Sequence, residues 1–330
     1  MGWNFFNKKS SRSDPGEVSY ASATSALSPP KETIGLRLLG IAPQDADIDI
    51  VAVHGLGGDA FETWTALNGK LWLRDFLPQQ LEDPPEDSEY GPHDSKVARV
   101  MTFGYDASVG TKASSLRSFV FAEQLLVQLS DKRVSESSKT RPLMLVGHSL
   151  GGIVIKRALI LAQARSSVYG DILRSVAHLC FFGTPHQGTD DSLGGFFRGL
   201  ASTITRSDEG SVLKELRLWS KPIVDTNTHF ADIAEGFTIT TFLESEKYCG
   251  VLVVNEGSAR LNKSKEKAVT LNRNHVTLCK FASTEESDYQ VVFNRLHAEI
   301  SAVGTPQQIQ EQARRVELLL ASVPPIPSEG

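Results

Sequence analysis

Ser149 stands between Gly147 and Gly151 in "LMLVGHSLGGIVIKRAL", a GxSxG spacing directly after an apolar run. A serine hydroxyl attacks a carbonyl effectively only when it is held beside a base and exposed to substrate. A sharp strand-to-helix turn does the exposing. It strains the backbone at the nucleophile and demands small residues two places before and after it. Gly147 and Gly151 fill those places, with strand-like "LMLV" before them and helix-like "IVIKRAL" after. The bland alternative is an ordinary Ser in a Gly-rich turn that binds phosphate or simply packs tightly.

A second piece is "VHGLGGDAFETW", residues 53–64. A Gly-rich turn after an early strand can aim a backbone N–H at a developing oxyanion, and the residue after the nucleophile supplies the other. Leu56 is the expected first donor, with Gly57 the near alternative, and Leu150 the second. His54 is expected to shape this turn rather than titrate. The third piece is a base. In this chain order the His follows the acid and the last strand. Of eight His, His275 in "LNRNHVTLCKF" lies in the loop before the final helix. His297, inside that helix, reads as packing or solvent-facing, and His186 in "GTPHQG" as shaping the pocket. The acid should sit just after the penultimate strand, where it can fix the tautomer of the base. Glu244 in "ITTFLES" meets that requirement. Glu256, at the end of the expected last strand "GVLVVNEG", is the alternative, and Asp225 and Asp232 come too early.

Two other chemistries compete for the Gly-rich turns. "GLGGDA" fits the dinucleotide pattern GxGxx(G/A), with Asp75 about 20 residues on. Asp75, however, falls inside the helical "LWLRDFL" and not at a strand end. In "GYDASVGTKASS" Lys112 follows Thr111, so the GK[ST] order of a nucleotide triphosphatase is missing.

The elements that must position these residues alternate along the chain. "TIGLRLLGI", "DIDIVAVHG", "ARVMTFGYD", "RPLMLVG", "VAHLCFFG", "FTITTFLES" and "GVLVVNEG" read as strands, with amphipathic helical stretches between most of them. Such alternation predicts a doubly wound, mostly parallel α/β sheet with right-handed crossovers. The apolar runs "IVAV", "LMLV" and "LCFF" fit strands covered on both faces. The rhythm breaks at about 189–236, which is expected as a helical insertion over one edge of the sheet. Its aromatics Phe196, Phe197 and Trp219 suggest a lid or an apolar substrate wall, a pair of packing helices being the alternative. Residues 1–32 lack periodicity and read as a disordered leader, 33–303 as the main domain, and 304–330 as a helical tail or linker.

Composition narrows the class. Hydrophobic residues make up 40 % of the 330 and charged ones 22 %, and the formal net charge is −5. That balance argues against a dedicated nucleic-acid binder. Cys180, Cys249 and Cys279 share no metal-ligand spacing, and reduced thiols in an intracellular compartment are the simplest expectation. No apolar run approaches the roughly 18 residues of a membrane span. The N-terminus has Gly2 and two Phe, but Phe6 stands where an acylation pattern wants Ser or Thr, and a secretory apolar core is missing. A cytoplasmic or membrane-peripheral, non-secreted protein is expected. A membrane surface is among the expected contacts.

With these motifs in hand, the chain resembles the α/β-hydrolase serine esterases and lipases related to the serine active site-containing protein and to GPI inositol-deacylase. It is particularly similar to the esterase-like domain at the N-terminus of many fungal NACHT, ankyrin or TPR multidomain proteins. The resemblance runs from about residue 34 to 300 through "VHGLGGDAFETW", "GHSLGGIVIKRAL", "FFGTPHQGT", "FLES", "VVNEGSARL" and "NRNHVTLCKF". It implies an α/β-hydrolase fold, Ser149 as nucleophile, His275 as base, an acid in "FLES" and an oxyanion turn at "HGLGG". It also implies a lipid or acyl-ester substrate, with no metal or diffusible cofactor. The alternative is a catalytically silent or weak hydrolase-fold effector domain of a signalling protein. No nucleotide-binding module follows within the 330 residues, unlike in those multidomain relatives.

Overall fold

The computed structural model describes residues 33–43, 45–85, 95–107, 114–186, 190–204, 217, 220–303, 310, 314–316, 318 and 319. Its strands are β1 (Gly35–Leu38), β2 (Ile48–Val53), β3 (Ala98–Gly104), β4 (Leu143–His148), β5 (Val176–Phe182), β6 (Ile239–Glu244) and β7 (Glu266–Leu271). They form one 7-stranded sheet in the order β1-β3-β2-β4-β5-β6-β7. Edge strand β1 runs antiparallel to β3, and every other pair is parallel.

Parallel pairs need crossovers, and helices supply them. The crossovers carry α1 (Trp72–Asp75), α2 (Leu77–Glu82), α3 (Ser114–Lys132), α4 (Glu136–Thr140), α5 (Leu150–Ala164), α6 (Ser166–Ser175), α7 (Asp190–Ile204), α8 (Ser220–Ile233) and α9 (Glu256–Ala259), and α10 (Ser287–Ser301) follows the last strand. Strand residues alternate between two apolar layers. Val51, Val53, Leu145 and Phe181 pack under α3, α5, α7 and α8. Ile50, Ala52, Val146 and Phe182 pack on the other face against α1, α2 and α10. With both faces covered, every residue of β2 and β5 is buried, as their unbroken apolar runs require. Strand order, the single antiparallel edge strand and the covering helices together make this the α/β-hydrolase fold.

Charge enters the core at Asp49, the second residue of β2, which is fully buried. Its carboxylate accepts from Arg99, Arg133 and Arg141, arriving from β3, the end of α3 and the approach to β4. A buried charge is tolerated only with such pairing, so Asp49 staples three elements at the sheet end away from the strands' C-termini.

Two expectations change here. "GVLVVNEG" is not the last strand. Tyr248 and Val251 close a tight turn, Val253 and Val254 turn into the core, and α9 follows. The last strand is β7, "EKAVTL", whose half-exposed residues suit a sheet edge and disguise it. The described residues of the insertion are largely helical, as expected, but Phe196 and Phe197 are 3 % and 1 % exposed. They belong to the packed layer over the sheet, so this part of the insertion is a packing helix. Trp219, the leader 1–32, Lys112 and most of the tail lie outside the described residues. In the tail, Val316 and Leu319 are buried, and Gln163 donates to the Leu319 carbonyl. Cys180, Cys249 and Cys279 are free thiols.

Candidate active site

Ser149 follows the last residue of β4 and caps α5, at φ 53° and ψ −125°. A non-glycine residue in that region is strained and persists only where packing dictates it. The packing is visible at the flanking glycines. A Cβ on Gly151 would lie 2.1 Å from the Val53 carbonyl oxygen, and one on Gly147 would lie 2.7 Å from the Cα of Gly152. The Ser149 N–H donates to Phe182 O at 2.9 Å, tying the turn to β5, and Thr184 Oγ1 donates to the Ser149 carbonyl at 3.0 Å.

Ser149, His275 and Glu244 meet at the C-terminal edge of the sheet. Ser149 Oγ lies 3.0 Å from His275 Nε2, and His275 Nδ1 lies 2.7 Å from Glu244 Oε2. All three residues are buried. The carboxylate can only accept, so Nδ1 carries the proton and Nε2 is left to accept from the serine hydroxyl. The second oxygen of Glu244, Oε1, accepts the Val254 N–H at 3.0 Å. Thus the "VLVVNEG" loop holds the Glu244 carboxylate through its backbone. Glu256 is not part of the group: it starts α9, its side chain is 68 % exposed, and it pairs with Arg260. The alternative acid is corrected accordingly, because the strand that was to place it does not form.

The Gly-rich turn after β2 faces Ser149. The Gly57 N–H donates to Ala107 O at 2.9 Å and the Gly58 N–H to Gly55 O at 3.2 Å. The N–H groups of Leu56 and Leu150 meet no acceptor among the described residues. His54 holds the turn. The Tyr105 N–H donates to its Nε2 at 3.2 Å, so Nδ1–H donates to the Gly55 carbonyl at 2.8 Å. Tyr105 stacks on the ring at 4.3 Å and its hydroxyl donates to the His54 carbonyl. Burial lowers the pKa of His54, which matches a neutral ring with both nitrogens engaged.

A cavity of about 160 Å³ opens over Ser149. Gly55, Leu56, Gly57, Gly58, Asp59, Glu62, Thr63, His148, Leu200, His275, Val276 and Lys280 complete its lining. Lys280 Nζ donates to the carbonyls of Glu62 and Thr65, so it braces this wall from the His275 loop. The insertion contributes Leu200 to the lining, and Phe196 presents its edge to His275 at 6.4 Å. The wall is therefore more polar than the aromatics of the insertion suggested. His186 does not line the cavity; it packs edge-on against Phe181 at 4.8 Å. His297 is buried and stacks on Phe293. Asp75 accepts from the Leu71 N–H and from Arg74, a local helix contact that leaves no ribose-binding role. Sequence reasoning missed His148 and the Val254 N–H. The first is hidden as an ordinary variable position of GxSxG, and the second is a backbone group without a side-chain signature.

Among the described residues no group of His, Cys, Asp and Glu is arranged to hold a metal ion, and no helix is long and apolar enough to cross a membrane. No family model matches the chain. Over 254 residues, 72 % of the chain, it is 27 % identical to Protein SERAC1 of Danio rerio, of which it covers 37 %. The chain thus spans under two fifths of the length of that curated relative. Among solved structures, the mature Bacillus licheniformis lipase BlEst2 is similar at TM-score 0.44 and 17 % identity, over 79 % of this chain and 97 % of that one. A lipase-esterase related protein from Clostridium acetobutylicum gives TM-score 0.44 and 11 % identity, over 81 % and 99 %.

Proposed function

We propose that the chain is a serine hydrolase that cleaves carboxylic esters by acyl transfer to water. The observation that carries this reading is the continuous hydrogen-bonded run Ser149–His275–Glu244, with Ser149 strained outward at the strand-to-helix turn. His275 takes the Ser149 proton as Oγ attacks the ester carbonyl. Glu244 holds the tautomer that keeps Nε2 free and stabilises the imidazolium that forms. The N–H groups of Leu56 and Leu150 receive the oxyanion, and losing one such donor costs about 10²–10³ in rate. His275 then protonates the departing alkoxide, leaving an acyl-serine. Water, deprotonated by His275, attacks that ester and regenerates the hydroxyl.

A cavity of about 160 Å³ is below the roughly 300–1,000 Å³ of sites that enclose a drug-sized ligand. It suits a small-molecule ester, or a lipid ester of which only the carbonyl end enters. The test is a fluorophosphonate probe, which forms a stable adduct with an activated serine. Wild type becomes labelled and Ser149→Ala does not. Folded wild-type protein that stays unlabelled overturns the proposal.

A further inference from the structure

We propose that His148, the residue before the nucleophile, is a positioning residue: its ring holds the main chain of His275 and keeps that base in register with Ser149. This rests on the hydrolase reading above and names a residue that reading does not use. His148 Nε2 lies 3.0 Å from the His275 carbonyl oxygen. A carbonyl only accepts, so Nε2–H is the donor. The rings of His148 and His275 lie 5.0 Å apart, and Trp64 packs edge-on with His148 at 6.5 Å. His148 is the last residue of β4 and pairs with Phe182 of β5, so the sheet fixes where its ring begins.

His275, by contrast, sits in the loop between β7 and α10. Its neighbours are tied into that loop: Asn274 accepts from the N–H groups of Val276 and Thr277, and Arg273 reaches Glu286 and Asp288. The His148 bond joins this loop to the strand that carries the nucleophile. The join matters when the serine proton moves. The ring of His275 then turns from Oγ toward the leaving oxygen, and its bond to Ser149 no longer restrains it. Glu244 on the ring and His148 on the main chain remain as anchors. Displacing a catalytic group by about 1 Å can lower a rate about 10²-fold.

The anchor must also be uncharged, because a cation 5.0 Å away would oppose formation of the His275 imidazolium. Burial, followed by the neighbouring His275, pushes the His148 pKa down to about 3, so the ring donates as a neutral group at neutral pH.

The variants His148→Gln and His148→Asn separate positioning from bulk structure. The Gln amide nitrogen reaches the place of Nε2, whereas the Asn amide is too short to do so; both are polar and of similar shape near the backbone. Labelling rates with the fluorophosphonate, and kcat and KM on p-nitrophenyl butyrate, are compared with wild type. His148→Asn is expected to label about tenfold or more slowly, with kcat reduced to match and KM within about twofold. His148→Gln is expected to recover most of that loss. Melting temperatures show that each variant is folded. Equal rates for His148→Asn and wild type overturn the proposal, as does a His148→Gln variant as slow as His148→Asn. Should His148→Asn not fold, His148→Leu, which fills the space without a donor, takes its place: a loss of about tenfold that His148→Gln recovers supports the proposal, and a wild-type rate overturns it. Unlabelled wild type overturns the hydrolase reading and this proposal with it.

Discussion

Glu244 and Glu256 show how far residue types alone can rank candidates. Both follow apolar runs and both stand near the expected end of a strand. Glu244 gives one oxygen to His275 and the other to the Val254 N–H, whereas Glu256 faces solvent beside Arg260. Replacing Glu244 by Gln leaves the shape but presents an amide that cannot stabilise the imidazolium. The expected outcome on a short p-nitrophenyl ester is a kcat loss of at least about 10²-fold, against up to about 10⁴ for comparable triad acids. Glu256→Gln is expected to stay within about twofold, and the reverse pattern would reject Glu244. The proximity of Ser149 and His275 was legible because the turn chemistry and chain order leave few choices. The choice between Leu56 and Gly57 was not. It depends on the Ala107 carbonyl, which takes the Gly57 N–H from a loop that no local pattern connects to it.

At the scale of elements, the junction of β4 and α5 was the most legible part of the chain and β7 the least. The junction announces itself because close backbone approach admits only glycine. An edge strand that opens on Glu266 and Lys267 and has Thr270 among its few apolar residues carries no comparable signal, and the apolar "VLVV" nearby is the stronger one. Adding one methyl group tests the junction. Gly151→Ala is expected to lose about 2–4 kcal/mol in urea unfolding, since the neighbour it strikes is backbone and cannot give way. Gly195→Ala is the control: it lies in α7, a Cβ there meets nothing within 4 Å, and a gain of about 0.5–1 kcal/mol is expected from helix propensity. Equal effects at the two positions would contradict the packing described.

For the whole molecule, buried histidines set the response to acid. His54, His178 and His186 are at most 3 % exposed. Burial is the leading cause that lowers all three, His178 to about 4. The unfolded chain binds protons at these positions near pH 6.5, and the folded chain does not. Stability therefore falls as pH drops below about 6.5, and for His178 the loss levels off near pH 4. Within that window each such group contributes up to about 1.4 kcal/mol per pH unit. The urea midpoint is expected to be lower at pH 5 than at pH 7, and an unchanged midpoint would show that these rings are not held neutral. The alternation of strands and helices made the sheet legible from sequence. The inward packing of Phe196 and Phe197 was not, because an aromatic on an amphipathic helix reads the same whether it faces a ligand or a core.

The insertion leaves the sheet after β5 and returns at β6, whereas Ser149, Glu244, His275 and the turn at Leu56 are carried by β4, β6, the loop after β7 and the end of β2. The segment touches the centre through Phe196 and Leu200, while the Ser149–His275–Glu244 hydrogen bonds come from residues outside it. On the proposed hydrolase reading, selectivity and reaction thus fall on separate stretches of one chain. On the same reading, grafting a related insertion between β5 and β6 is expected to change which esters enter while the Ser149–His275–Glu244 distances stay as the sheet sets them.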